Sequence, residues 1–277
     1  MIDRIMDQET AKKILQAGLG KAELELVTSY TTAIFWPRVM DGAVRIANGS
    51  VFFLDAGKGP IAVTSAHVLE GWRQDRKNQT AAPIRLAGAA SLVIDVEDRL
   101  IDEDTKIDIA TFRIDATEVG FLGKVILTGA QKSWPPIPPQ LECGVLLSGY
   151  AGRGTVILKA DEVSFGAVPA GLIAHSISEL DVSCMLDRNE LIGAMGGGIP
   201  PENFDFGGIS GGPMLTIVEQ NGVRTHVLAG VIYQGPNTSS DENEAIGGLE
   251  IIRARRAHFI KANGELDRER WGAANIR

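Results

Sequence analysis

Gly208-Ile209-Ser210-Gly211-Gly212-Pro213 is the stretch on which the reading of this chain turns. A helix cannot continue from this serine, because glycine costs backbone entropy there and proline lacks the N–H. The segment reads as a tight turn that presents a hydroxyl. Gly208, without a Cβ, can aim its backbone N–H at the same point. Ser210 is therefore a candidate nucleophile, and the N–H groups of Gly208 and Ser210 are candidate donors to an oxyanion. Acyl transfer also needs a base and a carboxylate to orient it. Upstream, Thr64-Ser65-Ala66-His67 follows the apolar run Ile61-Ala62-Val63, and Asp108 opens another, Ile109-Ala110-Thr111-Phe112. Asp102, Glu103 and Asp104 compete with Asp108, but they fall in what reads as a polar loop, Ile101–Lys106. Asp108 would be buried against an imidazole whose N–H gives its carboxylate a partner. The other histidines, His175, His226 and His258, show no metal-ligand spacing, and no cysteine pair supports a zinc site.

The order His67, Asp108, Ser210 resembles the trypsin-like serine peptidases of the chymotrypsin fold, in the style of bacterial high-temperature-requirement proteases. Gly49-Ser50 leading into Val51-Phe52-Phe53-Leu54, and Val145-Leu146-Leu147-Ser148-Gly149-Tyr150, carry the same resemblance. Spacings of 41 residues from His67 to Asp108 and 102 from Asp108 to Ser210 suit it. The resemblance covers roughly residues 31 to 260. It implies a serine endopeptidase with no metal or organic cofactor. In it His67 is the base, Asp108 orients the base, and Gly208 and Ser210 supply the oxyanion hole. A polypeptide substrate would pair with the backbone of Tyr233-Gln234-Gly235. Phe204, six residues before the serine, would lie at the base of the primary specificity pocket; a shift of one residue would put Asp205 there instead. The chain departs from zymogen relatives in carrying Ile209 before the serine and in lacking an activation site near residue 31. Only 27 residues follow Glu250, so an appended peptide-binding domain is not expected.

Two other functions use the same residues, namely a catalytically silent peptide-binding or regulatory module on this fold and an esterase with this triad. An α/β-hydrolase elbow also has a Gly-x-Ser-x-Gly pattern, and Asp241 with His258 would supply its chain order. Context speaks against it, because an elbow needs a strand before the serine and a helix after it. Pro200-Pro201-Glu202-Asn203 and Gly-Gly-Pro occupy those places.

The resemblance predicts an all-β chain, a double β-barrel of chymotrypsin type with a short N-terminal helix and a C-terminal helix. The N-terminal extension is 1–30, with a helix over 7–17 that Gly18 stops. A first barrel over 31–130 would use Thr32–Trp36, Val51–Leu54, Ile61–Thr64, Ser91–Val96, Asp108–Ile114 and Lys124–Thr128. Four prolines among residues 135–139 place the crossing at 131–141. A second barrel over 142–250 would use Gly144–Ser148, Thr155–Leu158, Asp181–Met185, Pro213–Val218, Val227–Tyr233 and Ala245–Leu249. The segment 251–277 reads as a closing helix over Ile251–Ile260 and a tail, with Arg253, Arg255 and Arg256 on its solvated face.

Among 277 residues, 44 % are hydrophobic and the mean hydropathy is +0.05, ordinary values for a chain with a core. A net charge of −8 and a pI near 5.1 disfavour nucleic acid and anionic membranes as partners. Met1–Asp7 has no apolar signal region, and no apolar run reaches the ~18 residues of a membrane span, so a cytoplasmic protein is expected. Cys143 and Cys184 read as reduced and buried, with a single bridge inside the second barrel as the alternative.

Overall fold

The computed structural model describes residues 8–128, 134–159, 162–187, 191–193, 200–201, 204–220, 223–236 and 250–275. It opens with α1 (Gln8–Ile14), a π-helical turn (Leu15–Leu19) and α2 (Gly20–Ser29). Gly18, with φ at 122°, bends the helix rather than ending it. The chain resumes helical form because α2 has a face to bury. Val27 is fully enclosed there, and Glu23 lies 3.7 Å from His226 of the second half.

The first half then runs β1 (Thr31–Met40), β2 (Ala43–Asp55), β3 (Pro60–Thr64), α3 (Ala66–Lys77), β4 (Arg85–Leu86) and β5 (Leu92–Val93). It continues through α4 (Val96–Arg99), β6 (Leu100–Asp104), β7 (Ile109–Arg113), α5 (Ala116–Phe121) and β8 (Leu127–Thr128). These strands make one sheet in the order β5-β4-β1-β2-β3-β7-β6, with β8 parallel beside β2. Both faces of its centre are buried. Val51 and Phe53 point into one core with Trp36, Leu69, Trp72 and Phe112, while Phe52 and Leu54 point into a second. That is why Val51–Leu54 is apolar throughout instead of alternating. The reading of Ile101–Lys106 as a loop is corrected, since Leu100–Asp104 is a strand paired to β7. The reading of Ser91–Val96 as one strand shrinks to Leu92–Val93, because the Asp95 side chain accepts from the N–H groups of Glu97 and Asp98 and starts α4.

The second half contains β9 (Gly144–Leu147), β10 (Tyr150–Lys159), β11 (Glu162–Ala167), β12 (Ala170–Ile177) and β13 (Asp181–Leu186). After these come β14 (Pro213–Gln220), β15 (Val223–Gln234), β16 (Glu250–Arg256), a 3-10 turn (Ala257–Phe259) and α6 (Arg268–Asn275). Six of the strands close into a barrel in the order β12-β13-β16-β15-β14-β9, and β10 with β11 forms a separate hairpin. The chain is thus mostly β, with one closed six-stranded barrel, further sheets and a few short helices. In the first half the hydrogen-bonded path ends at β5 and β6 without closing.

The closing helix predicted over Ile251–Ile260 is overturned. Glu250–Arg256 is a strand paired on both sides, to β13 and β15, with Ile252 and Ala254 alternating into the barrel core. The C-terminal helix is α6 instead. Arg255 and Arg256 are buried, so they do not form a solvated helix face. Residues 131–133 of the crossing, the strand Ala245–Leu249 and Asp241 lie outside the described residues. Trp134–Pro139 form no strand, and the Trp134 indole donates to the Ile260 carbonyl at 2.6 Å. Both cysteines are free. Burial pushes the Cys184 thiol up to about 12, whereas Cys143 is only half-buried.

One apolar cluster joins the two halves. Phe52, Leu54, Ile61 and Val63 pack there with Leu146, Leu215 and Val231, and Val27 of α2 and Phe259 complete it. No helix among the described residues is long and apolar enough to cross a membrane.

Candidate active site

His67 stands in the first turn of α3, immediately after the sheet strand β3. Its side chain is 46 % exposed, whereas that of Asp108 is 16 % exposed. Asp108 grips the histidine twice. Its Oδ2 lies 2.7 Å from His67 Nδ1, and its Oδ1 accepts from the His67 backbone N–H at 3.0 Å. A carboxylate oxygen accepts here, so in the neutral imidazole this contact assigns the hydrogen to Nδ1 and leaves Nε2 as the acceptor. Asp108 itself adopts φ of 59°, a left-handed conformation that Asp tolerates better than most residues. The preceding turn sets it there, with the Asp108 N–H donating to the Asp104 carbonyl at 2.8 Å and the Asp104 carboxylate accepting from Lys106 and Ile107.

Ser210 sits on the turn before β14, at the seam between the halves. The Ser50 N–H of β2 donates to the Ser210 carbonyl at 2.8 Å, and the Ser50 hydroxyl donates to the Gly208 carbonyl at 2.8 Å. The Thr64 hydroxyl, three residues before His67, donates to the Ser50 carbonyl, and the Ser65 hydroxyl donates to the Ile232 carbonyl. These bonds lace the histidine-bearing and serine-bearing segments together. Gly208 and Gly211 have φ of 101° and 89°. A Cβ on Gly211 would collide with the Ser50 carbonyl and the Thr64 hydroxyl, so the close approach of the halves requires glycine there. The Ser210 hydroxyl donates to the Tyr233 carbonyl at 3.3 Å and not to His67.

The peptide units around the serine are oriented. Gly207 O accepts from Gly152 N at 2.7 Å, and Ile209 O accepts from Gly212 N at 3.0 Å. In a trans peptide the N–H points opposite to its C=O, so the N–H groups of Gly208 and Ser210 face away from those partners. Neither donates to a protein acceptor among the described residues. Ile209 is buried in the barrel core beneath them, with Gly235 against its side chain.

Among the expected substrate contacts, Phe204 is half-buried and meets Phe206 edge-on, with ring centroids 4.9 Å apart. Asp205 is exposed, and its carboxylate accepts from Gly207 N at 2.8 Å. The Gln234 side chain accepts from Arg253 at 3.2 Å, and the Tyr233 ring stacks on Arg255. Ser50 and Gly152 orient the serine turn, yet sequence reasoning gives them no such role; Gly49-Ser50 in its motif was the available signal. Among the described residues no three His, Cys, Asp or Glu side chains cluster as metal ligands would.

No protein-family model matches this chain, and no curated protein matches it. A solved structure is similar to it from work on aromatic interactions that drive the coupled folding and binding of the intrinsically disordered Sesbania mosaic virus VPg protein. The two share 14 % identity over 84 % of this chain and 91 % of that one, with a TM-score of 0.42. A likeness so distant carries no argument about what this chain does, which rests on its own side chains.

Proposed function

We propose that this chain is a serine endopeptidase with a chymotrypsin-like framework, the first-half sheet serving as one lobe and the closed barrel as the other. The observation that carries the reading is the pair of hydrogen bonds that the Asp108 carboxylate accepts from His67, across 41 residues of sequence. In the reaction, Ser210 Oγ attacks the carbonyl carbon of the scissile bond while His67 Nε2 takes its proton. The electron pair moves onto the carbonyl oxygen, which accepts from the N–H groups of Gly208 and Ser210. A preorganised donor of this kind is worth about 3 kcal/mol in the side-chain example on which the principle rests. His67 then passes the proton to the amine as the C–N bond breaks, and water repeats the sequence on the acyl-enzyme. Asp108 stays ionised and stabilises the imidazolium.

The test is labelling of the purified chain with a fluorophosphonate probe, mapped by peptide mass spectrometry, alongside turnover of a peptide library. The proposal expects one label on Ser210, none in Ser210→Ala, and loss of at least a thousandfold in peptide turnover for Ser210→Ala or His67→Ala. Activity within tenfold of wild type in either variant would sink it. Ester turnover without peptide turnover would identify an esterase, and neither label nor turnover would favour a silent binding module.

A further inference from the structure

Arg255 lies on β16, outside the three predicted catalytic residues, and touches both sides of the seam. Its guanidinium contacts the rings of both Tyr233 and Trp271, with its carbon 4.5 and 4.6 Å from their centroids. Its Nη1 meets Asp181 Oδ1 at 2.5 Å. Its Nε donates to the Ile107 carbonyl at 2.8 Å, a bond that crosses into the first half. Ile107 immediately precedes Asp108. The peptide unit that joins them is therefore held at both ends, its C=O by Arg255 and its N–H by the Asp104 carbonyl. That unit carries the left-handed φ of Asp108, a conformation that needs outside restraint to persist. On the other side, Arg255 stacks on the residue whose carbonyl accepts the Ser210 hydroxyl.

We infer that Arg255 is a positioning residue that sets the Asp108 carboxylate against His67 and, through Tyr233, keeps the serine side in register with it. Its kinetic consequence rests on the peptidase reading above. Lysine cannot replace it, because an ammonium has neither the planar face for two rings nor the fork that reaches Asp181 and Ile107 together.

The experiment compares Arg255→Lys and Arg255→Gln with Arg256→Gln. Arg256 is an equally buried neighbour whose Nη1 donates to the Ser178 carbonyl, away from the site. Melting temperature, kcat and KM on a peptide substrate, and amide hydrogen exchange of segment 104–108 are measured on each. Arg255→Lys is expected to lower kcat at least tenfold with KM within twofold, and to speed exchange in 104–108 at least tenfold. Arg256→Gln is expected to lower the melting temperature while leaving kcat and that exchange unchanged. If Arg255→Gln does not fold, Arg255→Lys, which keeps a charge beside Asp181, carries the test. Wild-type exchange in 104–108, or wild-type kcat despite faster exchange, would overturn the inference. If the wild-type chain turns over no peptide, the peptidase reading falls by itself. The exchange measurement then decides alone whether Arg255 holds the Asp108 turn, local acceleration supporting it and none overturning it.

Discussion

The hydroxyl of Ser50 donates to the carbonyl of Gly208, 158 residues further along the chain, at 2.8 Å. The same oxygen accepts from Tyr150 N at 2.8 Å, so one buried side chain ties the central strand of the first sheet to the serine turn and to β10. Replacing Ser50 with alanine leaves the part-buried Gly208 carbonyl and the buried Tyr150 N–H without this partner, at a cost of about 1–3 kcal/mol. The 208–209 peptide then keeps only its other anchor, the Ile209 N–H on the Phe206 carbonyl at 3.1 Å, and the donors on either side of it are held less firmly. Ser50→Ala is expected to lower kcat by about tenfold to a hundredfold, in line with loss of part of an oxyanion hole. Steady-state kinetics with active-site titration will measure it, and an unchanged kcat would show that the turn holds its shape unaided.

Cleavage is expected after apolar or small residues rather than after Lys or Arg. Phe204 packs edge-on against Phe206, and the Asp205 carboxylate is occupied by Gly207 N. A cation entering beside Phe204 would be desolvated without a carboxylate to meet it. Sequencing the products of a peptide library decides this. Products ending mainly in Lys or Arg would mean that Asp205 turns inward when substrate binds.

The intact chain is expected to be active, and a variant starting at residue 30 is expected to be less stable and no more active. Val27 is fully buried in the cluster shared by both halves, and its loss alone costs about 2 kcal/mol of apolar burial. The Thr31 hydroxyl would lose the Val27 carbonyl, and Lys124 would lose the Thr28 carbonyl. Urea unfolding and fluorophosphonate labelling of both forms, with intact masses confirmed, provide the check. Faster labelling of the shortened chain would make the helices an inhibitory pro-segment.

Acid should weaken the fold through His258. Burial, aided by Arg256 and Arg270, pulls this imidazole down to about 4, against an opposing pull from Glu179. Unfolded, the same group takes its proton near 6.5. The site's contribution is therefore full above about 6.5 and is lost as pH falls toward 4, where the unfolded chain binds a proton that the folded one refuses. Melting temperature should decline across that window in wild type and more shallowly in His258→Gln. Parallel declines in the two proteins would remove His258 as the cause. Asp102, held below the usual carboxylate range by Arg268, loses its share only at lower pH still.

Much of the candidate site was legible in the sequence because its determinants are local. Glycines beside Ser210 announce a turn, and the apolar run before Thr64 announces a strand that delivers His67. The resemblance places Asp108 third, and in the structure its carboxylate meets His67. The C-terminal strand is not legible in the sequence because Ile251, Ile252, Phe259 and Ile260 fit a helical stripe as well as a strand. Only pairing with β13 and β15 selects the extended form. Gly18 reads as a stop for a similar reason, since the surface that α2 covers is built from residues far along the chain.

Composition, turn chemistry and the order of apolar runs determined by themselves that this is a mostly β chain with a serine turn following a histidine and an aspartate. Tertiary structure decided what those residues meet. Three arginines in four positions look alike in sequence, yet Arg253 is exposed, Arg256 is buried away from the site, and Arg255 packs on two rings with its Nε on the carbonyl before Asp108. Alternation puts Arg253 and Arg255 on one face of β16 and Arg256 on the other, and only the packed halves determine that the Arg255 end of that face is covered while the Arg253 end is open to solvent.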